Sequence, residues 1–390
     1  QPRSSANSRY NTVFDFQVAI PMNTQGQLYI GIMSGTSMDG ADAVLIAMNG
    51  NSWQGALAHS FLPYSDSLKQ QLLDLQNASD NELHRSMLLA QELSVLYAQT
   101  VQQLLENEQL NSQAISAIGC HGQTIRHAPE HSYSIQITNW SVVAERADIL
   151  TVGDFRSGDL AAGGQGAPLV PAFHSALFHH PQENRILINI GGIANISVLP
   201  ANLPAFGFDT GPGNMLMDAW VYQHWQQPFD ANGEKAAQGQ VLPDLLAQLL
   251  AHPYLQQPHP KSTGRDLFSL AWLEGYLNGN EDPYNVLRTL LEYTAQTIIN
   301  AIISTIVDAQ NVYICGGGIR NSVLMGRLET MLTTHKIQIQ STAVLNLNPQ
   351  WVEAAAFGWL AACWVNRIPS NPHHATGARK PCILGAGYFG

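Results

Sequence analysis

Asp209 closes a strand-like apolar run, Phe206–Phe208, and is followed by Thr210-Gly211-Pro212-Gly213-Asn214. A rigid turn of this kind would hold a carboxylate in one position at a strand end, as proton transfer in a cleft requires. The same place also suits an aspartate that caps the helix starting after Gly213. Glu353 is the second carboxylate of interest. It follows Asn348-Pro349 and sits among Trp351, Val352 and Ala354–Ala356 at the start of an apolar helix. A carboxylate in such company needs a polar partner. Orienting a water or a hydroxyl and complementing the helix dipole are both open to it.

The glycine turns suggest phosphate. Gly35-Thr36-Ser37-Met38-Asp39-Gly40-Ala41-Asp42 lies between two strand-like runs, with glycines at a GxxxxG interval. A P-loop would continue with Lys-Ser/Thr and a helix. Here Ala41-Asp42 follow and Ala43–Met48 reads as a strand, so a P-loop is excluded. What is left is a hairpin turn whose N–H groups and Thr36 and Ser37 hydroxyls could hold phosphate oxygens, with Asp39 and Asp42 for hydrated Mg²⁺. An ordinary polar hairpin is the plainer reading of the same residues. Gly191-Gly192, leading to Asn195, supplies a second glycine turn at the corresponding place in the other half. Gly316-Gly317-Gly318-Ile319-Arg320-Asn321 follows a strand but lacks the last glycine of GxGxxG, so a flat surface for an adenosine suits it better than a dinucleotide site.

The elements that must carry these residues repeat. Leu28–Met33, Ala43–Met48 and Gly55–Leu62 read as strands, followed by a helix striped with Leu89, Leu93, Leu96, Val101, Leu104 and Leu105. Ala114–Gly119 then runs as a strand into the polar loop Cys120–Thr124. In the second half Arg185–Ile190, Asn195–Leu199 and Phe206–Phe208 are strands, and helices cover about 214–225 and 286–307. Strand Asn311–Cys315 ends in the three glycines, and helix Trp351–Val365 precedes a Pro/His/Gly-rich tail. Each half is thus a hairpin-led mixed sheet with helices, and the expected fold is α/β with two lobes around a central cleft. The first lobe is expected over residues 28–165, with 370–390 packing back on it, and the second over 166–369. Gly163–Pro171 is the hinge or crossover. Residues 1–27 read as a poorly ordered extension, with Met22 a candidate start.

Composition narrows the function classes. The chain of 390 residues is 45% hydrophobic and 12% charged, enough apolar material for two cores. A formal net charge of −11 leaves no basic surplus for nucleic acid. No apolar run approaches the roughly 20 residues of a membrane span. Four scattered cysteines without CxxC spacing read as reduced thiols of a cytoplasmic protein rather than a disulfide frame or a zinc site.

Seven blocks in order give the chain a family resemblance. They are IGIMSGTSMDGAD (Ile30–Asp42), GCHGQTIRH (Gly119–His127), GDFRSGDLAAGGQGAPLVPAFH (Gly153–His174), NIGGIANIS (Asn189–Ser197), GFDTGPGNMLMDAW (Gly207–Trp220), PKSTGRDLF (Pro260–Phe268) and CGGGIRNS (Cys315–Ser322). With them the sequence resembles the anhydro-N-acetylmuramic acid kinases, within the sugar kinase/actin/heat-shock-chaperone ATPase superfamily. That resemblance implies lobes of ribonuclease-H-like, actin-like ATPase topology. It also implies ATP and Mg²⁺ as cofactors, a role in peptidoglycan recycling, and a homodimer.

The implied reaction opens the 1,6-anhydro ring of 1,6-anhydro-N-acetylmuramic acid with water and phosphorylates O6. A glycosidase would need two carboxyl groups. Here the phosphoryl group can take the acid's place, so one base could suffice; the resemblance assigns that base to Asp209, and Glu353 is the second catalytic candidate by its place in the chain. The turns about Gly35–Asp42, Gly191, Gly192, Asn195, Gly211, Gly213, Asn214, Gly316, Gly317, Gly318 and Asn321 would hold the nucleotide. His121, Gln123, Arg126, Asp154, Arg156 and Asp159 are expected on the sugar, an arginine being suited to a carboxylate. Any of them could instead be a structural ion pair. Lys261-Ser262-Thr263-Gly264-Arg265 reads as an exposed loop that could also reach phosphate.

Overall fold

The computed structural model describes residues 26–35, 38–264, 267–305 and 308–390. Most of the N-terminal extension, Thr36, Ser37 and Arg265 lie outside the described residues. Two mixed sheets carry the same wiring. In the first, β1 (Gln27–Met33), β2 (Gly40–Asn49) and β3 (Ser52–Pro63) run antiparallel. β4 (Ile115–Cys120) then lies parallel to β1. The hairpin β5 (Gln123–Ala128) and β6 (Tyr133–Ile137) stands apart as its own small sheet, and β7 (Thr151–Gly153) returns parallel to β4. In the second sheet β8 (Arg185–Ile190), β9 (Ile193–Leu199) and β10 (Phe206–Pro212) are antiparallel. β11 (Asn311–Cys315) and β12 (Gln338–Ser341) follow in parallel on the other side of β8.

Both sheets therefore have the order third, second, first, fourth, fifth with an antiparallel second strand, the ribonuclease-H-like arrangement. The last strand, β13 (Ala386–Tyr388), adds antiparallel to β7, so the C-terminal tail completes the first sheet.

Three apolar clusters fix the layers. One lies behind each sheet, and a third is shared, uniting Tyr29, Val44 and Ile46 of the first sheet with Leu187, Leu199 and Tyr313 of the second. The helix Val352–Val365 fills this shared layer and is buried nearly all round, as its uniformly apolar sequence demands. It lies directly on β1 and β4 because two strand positions lack a side chain. A Cβ at Gly31 would stand 1.8 Å from the Ala354 carbonyl oxygen, and one at Gly119 would stand 1.9 Å from that of Phe357. That contact brings Glu353, at the start of the helix, to the junction of the lobes. The strands and helices read from periodicity are present with ends moved by a few residues. The clearest difference is Gln123–Ala128, part of which read as a polar loop and which pairs as β5 with β6. Among the described residues, no helix is long and apolar enough to cross a membrane.

Candidate active site

A polar row crosses the second sheet. Asn189 on β8 faces Asn195 on β9, and Asn195 faces Asp209 on β10, so the three side chains emerge on one face. Asn189 Nδ2 donates to Glu353 Oε1 at 3.0 Å, which ties the row to the shared helix. Asp209 is 7% exposed. Its Oδ2 accepts the Thr263 N–H at 2.9 Å, its own N–H donates to the Lys261 carbonyl at 3.2 Å, and its carbonyl accepts the Tyr254 hydroxyl at 2.8 Å. Around this row Asn189 Oδ1, Asn195 Oδ1 and Thr263 Oγ1 are buried without a partner in the protein. Buried polar atoms of that kind are ordinarily satisfied by water or ligand.

Arg156, just past β7 on the first-lobe side, brings positive charge to both carboxylates. Burial pushes Asp209 up to about 7, against the Thr263 N–H, Arg156 and Lys261, which all favour its charged form. Glu353 is also raised, chiefly by burial, with Asn189 and Arg156 opposing and Asp42 adding to the rise. Arg156 itself falls to about 10 through burial, opposed by Asp209, Glu353 and Asp159. His121 orients it. The His121 Nδ1 lies 2.8 Å from the Gly122 carbonyl and so carries the proton, leaving Nε2 to accept from Arg156 Nε at 3.2 Å and Nη2 at 3.0 Å. Burial and the neighbouring guanidinium hold that imidazole neutral, well below its usual range.

The glycine segments of the second lobe converge beside this row. Gly213 and Met215 N–H donate to the Gly192 carbonyl at 2.8 and 3.1 Å, and Asn214 N–H donates to that of Gly191 at 2.9 Å. A Cβ on Gly213 would stand 2.3 Å from the Gly191 oxygen, so the β10 turn and the β8–β9 turn touch backbone to backbone. Gly316, at φ +85°, closes on Asn189 and Ile190, whereas Gly317 has open space where a side chain would be. A bare backbone surface next to a polar row is what a nucleotide needs. In the first lobe Asp42, near the start of β2, has its Oδ1 2.7 Å from His59 Nε2. Asp39 pairs with Lys69 at 2.7 Å.

The remaining expected residues hold protein rather than face the row. Gln123 accepts the Ser34 hydroxyl at 2.5 Å and braces the β1–β2 turn. Arg126 pairs with Glu82 at 2.6 Å. Asp154 accepts the Ser157 hydroxyl at 2.5 Å. Asp159, fully buried, accepts from Gly166 N–H, Thr376 Oγ1 and Asn371 Nδ2 at 2.8, 2.7 and 3.1 Å, which ties the tail to segment 163–171. Asn321 caps the helix Ser322–Thr334 through the Leu324 N–H.

The expectation of an exposed loop at Lys261 is corrected. Lys261 is 8% exposed, and its ammonium donates to the Tyr254 and Leu255 carbonyls at 3.2 and 3.1 Å over the Tyr254 ring. The sequence marks Lys261–Thr263 as able to reach phosphate but not as a grip on Asp209, and it does not mark the turn 254–259 at all, because only contact with β10 gives this segment its role. Asn189 had a usable signal, a lone amide inside an otherwise apolar strand.

Two ribonuclease-H-like lobes, with carboxylates and bare glycine turns where they meet, define the fold class of the sugar kinase/actin/heat-shock ATPases. Comparisons with known proteins sharpen that class. The family model described as anhydro-N-acetylmuramic acid kinase matches residues 27–390, and the chain belongs to this family. A relative from Neisseria meningitidis serogroup C, named anhydro-N-acetylmuramic acid kinase, is 66% identical over 93% of this chain and 99% of its own. One of the same name from Nitrosomonas europaea is 48% identical over 92% of this chain and 99% of its own. Among solved structures, an activator of 2-hydroxyisocaproyl-CoA dehydratase from Clostridium difficile aligns at 12% identity with a TM-score of 0.43, covering 88% of this chain and 97% of that one. The sheet topology, rather than that score, defines the fold class.

Proposed function

We propose that this kinase opens the anhydro ring of 1,6-anhydro-N-acetylmuramic acid and phosphorylates O6 from ATP. The products are N-acetylmuramic acid 6-phosphate and ADP, which fits a role in cell-wall recycling. The observation that carries this reading is Asp209, a buried carboxylate pushed up to about 7 with unpartnered polar atoms around it. Asp209 takes a proton from water as the water oxygen bonds to the anomeric carbon and the C1–O6 bond breaks. The electron pair left on O6 attacks the γ-phosphorus, the bond to the ADP oxygen breaks, and Asp209 returns its proton to solvent. No second carboxylic acid is needed, because the phosphoryl group captures the leaving oxygen.

Arg156, locked by neutral His121, keeps Asp209 charged enough to act and offers its remaining N–H groups to an anionic substrate. Glu353, fixed by Asn189, orients the sugar or its water. The glycine segments 191–192 and 316–318 would lie against the phosphates and adenosine, with Gly317, where a side chain would meet open space, the place of closest approach. Among the described residues, no three His, Cys, Asp or Glu groups gather as a full metal cage. Mg²⁺ on a nucleotide needs only one or two protein carboxylates, and Asp42, whose charge already reaches Glu353, fits that demand. When bound, the metal would neutralise charge on the phosphates. Four free cysteines support a cytoplasmic setting.

The test follows ADP and 6-phosphosugar from the anhydro sugar, with wild type and Asp209→Asn. Near-normal turnover by the variant removes Asp209 as base. In water carrying heavy oxygen the label should appear at the anomeric hydroxyl. Label in the phosphate, or sugar opening without ATP, would defeat the coupled mechanism.

A further inference from the structure

Ser262 bridges the two lobes through one hydroxyl. His127, on β5, has Nε2 3.3 Å from Ser262 Oγ, and that hydroxyl donates to Gln165 Oε1 at 3.1 Å in the hinge segment. The Ser262 proton is thereby used on Gln165, so His127 Nε2 is the donor to Ser262 and His127 Nδ1 accepts from Ser134 Oγ at 3.0 Å. Burial and Arg156 push His127 down to about 3, which keeps this single tautomer neutral at working pH. Gln165 Nε2 donates back to the Pro260 carbonyl at 3.1 Å, closing a ring of contacts on the strap 260–263.

The two neighbours of Ser262 grip Asp209. Lys261, one residue before, accepts the Asp209 N–H, and Thr263, one residue after, donates to its Oδ2 at 2.9 Å. Lys261 is also pinned to the Tyr254 and Leu255 carbonyls. The strap thus holds the carboxylate at its ends and is itself held by the first lobe at its middle. Three charged or titratable groups surround Asp209: Arg156 from beyond β7, Lys261 from the strap, and Tyr254 from the turn before it.

We propose that Ser262 is a positioning residue whose hydroxyl couples the first-lobe hairpin and the hinge to the aim of Asp209, so that the base is held in line only while the lobes are together. This rests on Asp209 being the base. Loss of the hydroxyl would let the strap drift and lengthen the Thr263 bond, and small displacements of a base are costly to rate.

Ser262→Ala and Ser262→Thr should be compared for kcat, for both KM values and for the pH profile of kcat/KM, each also in an Asp209→Asn background. Ser262→Ala is expected to lower kcat about tenfold and move the acid limb to higher pH, because a weakened N–H bond leaves Asp209 holding its proton more tightly. The KM for ATP should stay within about twofold. Ser262→Thr, which keeps the hydroxyl, should restore kcat and the limb. In the Asp209→Asn background Ser262→Ala should cost nothing further, since both changes act through one group. An unmoved acid limb in Ser262→Ala, or an equal extra loss in the Asp209→Asn background, overturns the proposal as a merely structural bond. Near-normal turnover of Asp209→Asn alone overturns the base assignment first, and the positioning role with it.

Discussion

The two sheets share one wiring but not one chemistry. Near the first hairpin of the first lobe, Met33, Asp42 and Phe61 face one another across three strands. In the second lobe the comparable row is Asn189, Asn195 and Asp209. The first row carries one carboxylate, partly exposed and paired with His59. The second is polar throughout, buried at Asn189 and Asp209, and roofed by the Tyr254–Thr263 strap on one side and the shared helix on the other. Burial is what separates them. A carboxylate beside water is open to a hydrated cation, whereas burial pushes the Asp209 carboxyl up toward neutral pH, the range a general base requires. Repetition of a fold supplies two equivalent frames, and the difference in cover assigns them different tasks.

The strongest way to break this comparison is to neutralise the two aspartates in turn. Asp209→Asn should lower kcat by about 10²–10⁴-fold. Asp42→Asn should instead raise the Mg²⁺ requirement about tenfold, with kcat at saturating Mg²⁺ largely kept. Equal loss of kcat in both would erase the distinction.

Next in size is a pair of glycines on the proposed nucleotide surface. Gly316→Ala sets a Cβ 2.3 Å from Asn189 Oδ1 at a φ of +85° and should cost about 1–3 kcal/mol in urea unfolding. Gly317→Ala, with open space, should cost less than about 0.5 kcal/mol and show its effect in the KM for ATP.

Arg156→Met removes a positive charge that favours ionised Asp209. The acid limb of kcat/KM, expected near 7, should therefore move up by about one unit. The smallest expected effect is a slope in stability. Asp209 holds its proton to about 7 in the folded chain but releases it near 3.8 when unfolded, so the folded state binds more protons between those values. Stability should fall as pH rises through that window, and Asp209→Asn should flatten the fall in denaturation curves taken across it.

Much of the frame was legible in the residue pattern. Alternating and continuous apolar runs marked the strands of both lobes, because a buried sheet demands them, and the glycines marked turns where only backbone fits. Asp209 and Glu353 stood out as carboxylates beside apolar runs. Arg156 and His121 were both singled out, but not as a pair: His121 lies 35 residues earlier in the chain and meets Arg156 only through folding. Gln123, Arg126 and Asp159 carried the same polar signature as Arg156. Their partners, Ser34, Glu82 and Thr376, turn them into braces, and no spacing rule foretells such pairings.

The sequence by itself determined the two-lobed α/β frame, the exclusion of a P-loop and the family, because these rest on local periodicity and on blocks of residues in order. The tertiary structure decided that Asp209 is buried in a polar row, which arginine reaches it, and that an apparently exposed loop at Lys261 grips it. Those outcomes depend on desolvation and on contacts between segments far apart in the chain, and neither quantity exists until the lobes have come together.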